Sequence, residues 1–464
     1  MAMNESQSLR KNATVLLDIA NVNAKGQGIG RVGDFVLFVE GALPGEHVEA
    51  RILKLKTRYG FAKVSRVVTP SPSRITPRCP VASVCGGCVF QHCDYNGQLA
   101  IKKQIVVDAL ARIGGIADPP MADVLGCATP WFYRNKGIFP VAPATNADGF
   151  AIGMYAARSH RLVEIDECLL QRPAHKRVLT VVRDYMRTHK VTPYDETTHT
   201  GWVRQVMVRT SAATGEVMVV LVANCDRLPA ENELAQALTT DANASTVLVN
   251  THTARGNVVL GKHFRVLSGS GYMEEHIGVS RYRISPQSFF QVNSHQVKVL
   301  YDTARHMAGN AVRIIDAHAG AGGITLYAAQ QAATQGKTLH MLGIDTVASA
   351  ISDAKENAAL NGMFDINFVI GAAEEVIPKL LEVAEHPQAV YLDPPRKGCE
   401  TPLLDALVTA KIRKIVYISC DPATLARDIK HLCAGGYTLK QVQPVDMFPH
   451  TGHIECVAEL VVKA

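Results

Sequence analysis

The sequence predicts a multidomain chain. An OB-like β-barrel leads, an α+β central region follows, and a Rossmann-like, doubly wound α/β domain closes it. Three observations carry this prediction. Between Thr14 and Val68, short β-branched runs alternate with Gly-rich or Pro-Gly turns. From about Val312, strand-like and helix-like segments alternate regularly. Between these regions lies a cysteine-rich stretch from Cys79 to Cys93, preceded by the Pro- and Ser-rich linker Thr69 to Pro77. A chain of 464 residues has room for about two to four domains with substantial cores.

The barrel runs are Thr14 to Ile19, Phe35 to Val39, His47 to Lys54 and Phe61 to Val68. Their turns are Lys25 to Gly30, Leu43-Pro44-Gly45 and Tyr59-Gly60. Such spacing suits a small antiparallel barrel of the kind that binds single-stranded nucleic acid. Gly26-Gln27-Gly28-Ile29-Gly30 lacks the strand-to-helix switch of a dinucleotide fingerprint, so it reads as a glycine-rich hairpin loop. Charge points the same way. From Arg51 to Cys93 there are eight Lys or Arg (Arg51, Lys54, Lys56, Arg58, Lys63, Arg66, Arg74, Arg78) and no Asp or Glu. Within a net charge of only +6, this is a local footprint for a polyanion, RNA or DNA above all.

A helix is expected from Asp94, a capping residue, to Ile113, with Leu99, Lys103, Val106 and Leu110 on related faces and Gly114-Gly115 ending it. Residues 125–270 mix strand-like runs (Gly137 to Val141, Val203 to Thr210, Val217 to Val222, Thr246 to Asn250) with helical stretches. In the last third, the expected strands are Arg313 to Ala317, His340 to Ile344, Ala389 to Leu392 and Lys414 to Ile418. Helices Val347 to Leu360 and Pro422 to Cys433 fall among them. A doubly wound sheet binds ligands at the carboxyl ends of its strands.

The candidate residues sit at those ends. Asp316-Ala317-His318-Ala319-Gly320-Ala321-Gly322-Gly323 places a Gly-rich bend between strand and helix, where backbone can approach a nucleotide or S-adenosylmethionine closely. Asp345 ends the next strand, where an acid can accept ribose hydroxyls. Asp393-Pro394-Pro395-Arg396 is a rigid step that directs the acid and its carbonyl out of the sheet edge, and it resembles the acid/amide-Pro-Pro motif by which many methyltransferases hold a planar base. Cys420 follows a strand and precedes Asp421-Pro422 at a helix N-terminus, a setting that favours thiolate over a packing role. Glu455 lies among the apolar Ile454, Cys456 and Val457, where a carboxylate is either turned outward or kept for proton chemistry.

Eleven cysteines, no apolar run of the roughly 20 residues needed to span a bilayer, and an N-terminus without signal-peptide character point to a cytoplasmic chain. Neither a membrane nor an obligate protein partner is expected. The spacing Cys79-x5-Cys85-x2-Cys88 suits a metal or cluster, with Cys93 and Cys168 as rival fourth ligands. Zinc and [4Fe-4S] both accept four thiolates. The first gap of five argues against a radical enzyme.

The motifs together resemble the RNA 5-methyluridine methyltransferase family, and within it the 23S rRNA (uracil-5-)-methyltransferases with a TRAM domain and a [4Fe-4S] cluster. The resemblance runs from about Thr14 to Val461. It rests on Cys85-Gly86-Gly87-Cys88-x2-Gln91-His92, Ser288-Phe289-Phe290-Gln291-Val292-Asn293, Asp393-Pro394-Pro395-Arg396-Lys397-Gly398, Ser419-Cys420 through Asp428, and His453-Ile454-Glu455. It implies a TRAM barrel over residues 8–68, a central iron-sulfur domain over 69–93 and 125–270, and a class I methyltransferase domain over 94–124 and 271–464. It also implies S-adenosylmethionine as cofactor, bound through Gln291, His318, Gly323, Asp345 and Asp393. Cys79, Cys85, Cys88 and Cys168 then hold the cluster, and Cys93 drops out. Cys420 becomes the nucleophile that adds to carbon-6 of uridine, and Glu455 the base that removes the carbon-5 proton. The loop departs from the family pattern, which usually has an aromatic residue and cysteine where this chain has His318-Ala319, and Asn or Thr at Gly323. The implied substrate is 23S rRNA rather than tRNA, since the resembling tRNA enzymes lack the barrel and the cysteines. Two alternatives stay open: a base N-methyltransferase using Asp393 to Arg396, and a non-catalytic or redox-sensing RNA-binding iron-sulfur protein.

Overall fold

A computed structural model describes residues 9–256, 258–383 and 386–463. Ser8 and Ala464, the outer limits of the expected barrel and catalytic segments, lie outside the described residues. The first unit is a closed barrel of β1 (Thr14–Val22), β2 (Gln27–Val32), β3 (Phe35–Glu40), β4 (His47–Leu55) and β5 (Tyr59–Thr69), ordered β1-β2-β3-β5-β4. Only β3 and β5 pair in parallel, at Val36 and Tyr59, while β4 closes antiparallel onto β1. Alternation puts Val15, Leu17, Ile19, Leu37, Val39, Val48 and Ile52 inside. Gln27 to Gly30 belongs to strand β2, which corrects the expected hairpin loop. Its glycines allow close approach: a Cβ on Gly28 would lie 2.8 Å from the Ala42 Cβ, and one on Gly30 would lie 2.5 Å from the Asp18 carbonyl.

Helix α1 (Tyr95–Arg112) is capped as expected, with Asp94 accepting the Gly97 amide at 2.7 Å. Its buried face is Gln98, Ile101, Lys102, Val106 and Leu110, whereas Leu99 and Lys103 are only half-buried. The expected face was rotated because it excluded Lys102, whose charge is neutralised inside the protein.

The central sheet holds β6 (Lys136–Pro143), β7 (Phe150–Tyr155), β8 (Leu162–Glu164), β9 (Val203–Thr210), β10 (Val217–Ala223), β11 (Thr246–Thr251) and β12 (His263–Ser268). Its order is β12-β11-β10-β9-β6-β7-β8. Helices α2 (Pro173–Thr188) and α3 (Glu231–Asp241) cover one face through Val178, Val182, Leu234 and Leu238. A hairpin, β13 (Met273–Ile277) and β14 (Ser280–Ile284), leads into α4 (Ser294–Ala308).

The last sheet contains β15 (Arg313–Asp316), β16 (His340–Asp345), β17 (Asn367–Ile370), β18 (Ala389–Leu392), β19 (Lys414–Ser419), β20 (Tyr437–Val445) and β21 (Glu455–Val462). Intervening helices are α5 (Gly323–Ala333), α6 (Ala348–Leu360), α7 (Ala373–Val383), α8 (Thr401–Thr409) and α9 (Pro422–Ala434). Strand order is β17-β16-β15-β18-β19-β21-β20, parallel through β19, with β21 inserted antiparallel between β19 and β20. Helices α4, α5 and α6 pack on one face through Leu300, Tyr301, Leu326 and Ile351. On the other face, α1 joins α7, α8 and α9 through Val106, Leu110, Ile377, Leu407 and Ile429. Bridges from Met121 to Val442 and from Leu125 to Val445 protect the edge strand β20. Chain direction across the sheet reverses between β15 and β18, the switch point at which such folds bind ligands. Among the described residues, no helix is long and apolar enough to cross a membrane.

Candidate active site

Asp316 ends β15 wholly buried and organises the Gly-rich bend from both sides. One carboxylate oxygen accepts the His318 amide at 3.2 Å and the other the Thr325 hydroxyl at 2.6 Å. Gly320 (φ 53°) and Gly322 (φ 84°) take the left-handed backbone that turns the chain into α5. Asp345 braces the same bend, accepting the Gly320 amide at 3.0 Å and the Val347 amide at 2.8 Å. Each of its oxygens keeps a lone pair for a further donor. Gly323 faces the Tyr301 hydroxyl so closely that an added Cβ would lie 2.6 Å from it.

Gln291, His318, Gly323 and Asp393 line one hollow, together with Tyr282 and Phe290. Asp345 stands behind the bend, outside the lining. Burial drives the His318 imidazole down to about 4, against the pull of Asp345 and Glu374, so it is neutral, and its buried Nδ1 has no hydrogen-bond partner. Gln291 is 8% exposed, and its carbonyl is held by Asn135 Nδ2 at 3.0 Å.

The sheet register assembles the remaining candidates. Ser419 pairs with Cys456 across β19 and β21, which makes Cys420 and Glu455 the next opposed positions. Leu392 pairs with Tyr417, placing Asp393 at the neighbouring strand end. Burial lifts Asp393 to about 7, helped by the charge of Asp316. Burial also lifts Glu455 well above the usual carboxylate range, with Asp393 adding and Arg396 opposing. Cys420 rises to about 11 through burial, then Glu455 and Asp393, again opposed by Arg396. This corrects the expectation of a helix-stabilised thiolate. Asp421 caps α9, accepting the Ala423 amide at 2.9 Å and the Thr424 amide at 3.1 Å, so the helix N-terminus is already satisfied by a carboxylate. The resting cysteine is a neutral thiol beside two carboxyl groups whose ionisation is likewise disfavoured by burial.

Two motifs distant in sequence are bolted together beneath these groups. Asp428 accepts the Cys399 amide at 2.9 Å and the Tyr417 hydroxyl at 2.6 Å. Arg427 donates to the Lys397 carbonyl at 3.0 Å and the Cys399 carbonyl at 3.2 Å. The Asp393-to-Gly398 turn is thereby tied to the helix that follows Cys420.

Comparison with known proteins agrees with this geometry. The sequence model of the tRNA (Uracil-5-)-methyltransferase family matches residues 258–463, and that of the TRAM domain matches residues 9–65. An uncharacterized RNA methyltransferase of Halalkalibacterium halodurans is 40% identical over 458 residues, 98% of each chain. The chain belongs to the RNA uracil-5-methyltransferase family. A second relative, an uncharacterized RNA methyltransferase of Clostridium tetani, is 40% identical over 459 residues, again 98% of both chains. Among solved structures, the Pyrococcus abyssi tRNA (uracil-54, C5)-methyltransferase in complex with S-adenosyl-L-homocysteine is similar at a TM-score of 0.76 and 25% identity. The likeness covers 96% of this chain and 100% of that one. The expected TRAM barrel and methyltransferase fold are thus present. Because a tRNA enzyme is similar over nearly the whole length, the barrel does not by itself separate rRNA from tRNA substrates, contrary to the expectation drawn from sequence.

In this methyltransferase, Cys79, Cys85, Cys88 and Cys168 are electrostatic neighbours. The Cys88 thiol is pushed up to about 12 by burial above all, with a hydrogen bond from Gln91 opposing and Cys168, Cys85 and Cys79 adding to the rise. Cys85 and Cys168 are raised first by burial and then by the other thiols. Cys93 is buried elsewhere, among Asp94, Arg74 and Glu46. Among the described residues, no group of three or more His, Cys, Asp or Glu is drawn into a metal-holding arrangement.

The barrel presents residues that the sequence did not single out. Phe38, Tyr59 and Phe61 form a three-ring cluster on its outer surface, with centroids 5.6 to 5.8 Å apart. Register places Lys54 beside Phe61 and Lys63 beside Arg51, and Arg51, Lys54, Lys56, Arg58, Lys63 and Arg66 are all exposed. The signal was present in Tyr59-Gly60-Phe61, where alternation turns both rings outward while Gly60 faces the core.

Proposed function

We propose that this enzyme methylates carbon-5 of a uridine in 23S rRNA, with S-adenosylmethionine as donor and Cys420 as covalent nucleophile. The observation that carries the proposal is the convergence of Cys420, Glu455 and Asp393 at adjacent strand ends beside a Gly-rich hollow. The hollow suits the cofactor: a bend of Gly and Ala at positions 319–323, a neutral His318 imidazole with an unpartnered nitrogen, and a half-buried acid, Asp393, able to ionise beside a cation. Gln291, His318, Gly323, Asp345 and Asp393 would hold it. S-adenosylmethionine supplies an electrophilic methyl group and leaves as its demethylated thioether.

The Cys420 thiol gives up its proton to solvent as Sγ bonds to carbon-6, and the ring electrons move toward carbon-5 and the 4-oxygen to give an enolate. Carbon-5 then takes the methyl. Glu455, as carboxylate, removes the carbon-5 proton; the Sγ–C6 bond breaks, the ring double bond reforms and the thiolate is released. Arg396 favours the anionic form of both residues, offsetting part of their desolvation. Replacement Cys420→Ala is expected to abolish transfer to uridine-containing RNA, and Glu455→Gln to accumulate a protein–RNA adduct. Wild-type turnover by Cys420→Ala would refute the covalent route. Mapping 5-methyluridine in rRNA and tRNA from cells with and without the protein tests the substrate.

Cys79, Cys85, Cys88 and Cys168 would hold a [4Fe-4S] cluster. Burial and mutual repulsion keep these thiols from ionising unless a cationic centre binds them, and four cysteines are the donor set such a cluster takes. The cluster would staple the 79–88 segment to Cys168. Anaerobically prepared protein is expected to contain iron and sulfide, which a Ser at any of the four removes and Cys93→Ser retains.

A further inference from the structure

Three cations come together where β6 and β9 meet the Ser288-to-Asn293 loop, without a counter-charge among the described residues. Lys136 on β6 pairs directly with Arg209 on β9. Arg134 lies two residues before Lys136 and so shares its face, and Arg134 Nε donates to the Lys136 carbonyl at 3.1 Å. Like charges placed opposite one another across strands are destabilising. No ion pair among the described residues relieves them. Arg209 is 3% exposed, and its Nη2 donates to the Ser288 carbonyl, yet its Nε has no partner.

The position of the cluster gives it a use. Arg134 forms a bridge with Asn293, at the end of the Ser288-to-Asn293 motif, and its charge reaches His453, two residues before Glu455. Phe289, 75% exposed, stands on the same loop. The cluster therefore adjoins the Ser288-to-Asn293 motif, whose Phe289, Phe290 and Gln291 line the hollow beside the reacting groups. A base drawn out of its stack needs its backbone held beside the pocket.

We propose that Arg134, Lys136 and Arg209 form a binding site for a backbone phosphate of the RNA substrate, next to the target uridine. Burial together with Arg209 and Arg134 presses the Lys136 ammonium down to about 7, so an anion bound at the half-buried Lys136 and Arg134 would restore its charge and offset the repulsion from Arg209. The inference rests on the RNA-methylating reading above, but its first test does not.

With full-length protein, inorganic phosphate is expected to raise the melting temperature over chloride at matched ionic strength, and Lys136→Gln to lose that shift while Lys136→Arg keeps it. With a single-stranded uridine-containing oligonucleotide, Lys136→Gln should flatten the plot of log affinity against log salt by about 0.7, leaving affinity for S-adenosylmethionine unchanged. A phosphate shift without the change in salt slope would overturn the RNA assignment. Absence of both effects would overturn the site altogether. If both appear but the methylated product is not 5-methyluridine, the phosphate site stands and the proposed reaction falls.

Discussion

The Lys102 ammonium on α1 and the Asp446 carboxylate ahead of β21 meet at 2.6 Å, with both side chains wholly buried. Each is further satisfied: Lys102 donates to the Phe448 carbonyl at 2.9 Å, and Asp446 accepts the Tyr95 hydroxyl at 2.8 Å. The pair anchors α1 to the turn that leads into Glu455. That turn is held again where Gln98 accepts the His450 amide at 2.9 Å.

Breaking this pair from one side leaves a buried charge unpaired. Lys102→Met is expected to cost about 3–5 kcal/mol in chemical denaturation. The double variant Lys102→Met/Asp446→Asn should cost clearly less than the two single effects added together. Simple additivity would mean that the two groups do not act as a pair.

Gly323 tests the hollow. In Gly323→Ala, the new methyl must displace the Tyr301 hydroxyl, with overpacking costing about 1–3 kcal/mol of stability. Affinity for S-adenosylmethionine, read by calorimetry, should fall with it. Adding Tyr301→Phe, which removes the clashing oxygen, should recover part of both losses.

The aromatic cluster of the barrel makes a separate prediction. Tyr59→Ala or Phe61→Ala should weaken RNA binding by about 1–3 kcal/mol per lost stacking partner. Cofactor affinity, measured in parallel, should stay at the wild-type value. Unaltered RNA affinity in both variants would remove this face from the binding surface.

The buried acids set a pH dependence. Asp316 and Asp393 are raised to about 6 and about 7, so the folded protein holds protons that the unfolded chain has released above about 4. Their contribution to stability is complete below about pH 4 and is lost as pH rises through about 7. Buried neutral histidines, His318 among them, tilt the overall curve the other way. The clean measurement is therefore a difference: ligand-free wild type should lose stability relative to Asp393→Asn between about pH 4 and 7. A difference independent of pH would show that Asp393 ionises normally.

Much of the catalytic half was legible in the chain. β18 was placed at its observed ends, and β16, β19, α6 and α9 within a residue or so, because parallel strands buried on both faces read as continuous apolar runs bounded by turns. The strand in Gln27–Val32 was hidden, since glycines that permit close packing look locally like a turn. The buried face of α1 was misplaced for a related reason. Lys102 reads as a surface residue until Asp446, 344 positions later, is brought to it.

Cys420, Asp393 and the Gly-rich bend were named from residue type and position, because strand ends and turns leave local signatures, whereas Glu455 was singled out by the family resemblance. Their protonation was not. A neighbouring helix N-terminus promised a thiolate. Burial, the acids across the sheet and the Asp421 cap instead make Cys420 a thiol raised to about 11. The sequence by itself determined which groups stand at the carboxyl edge of the sheet, since periodicity and turn chemistry are local. Only the tertiary structure decided their charge state, the register opposing Cys420 to Glu455, and the clustering of Arg134, Lys136 and Arg209. Desolvation and Coulomb interactions depend on distances between residues that the chain keeps far apart.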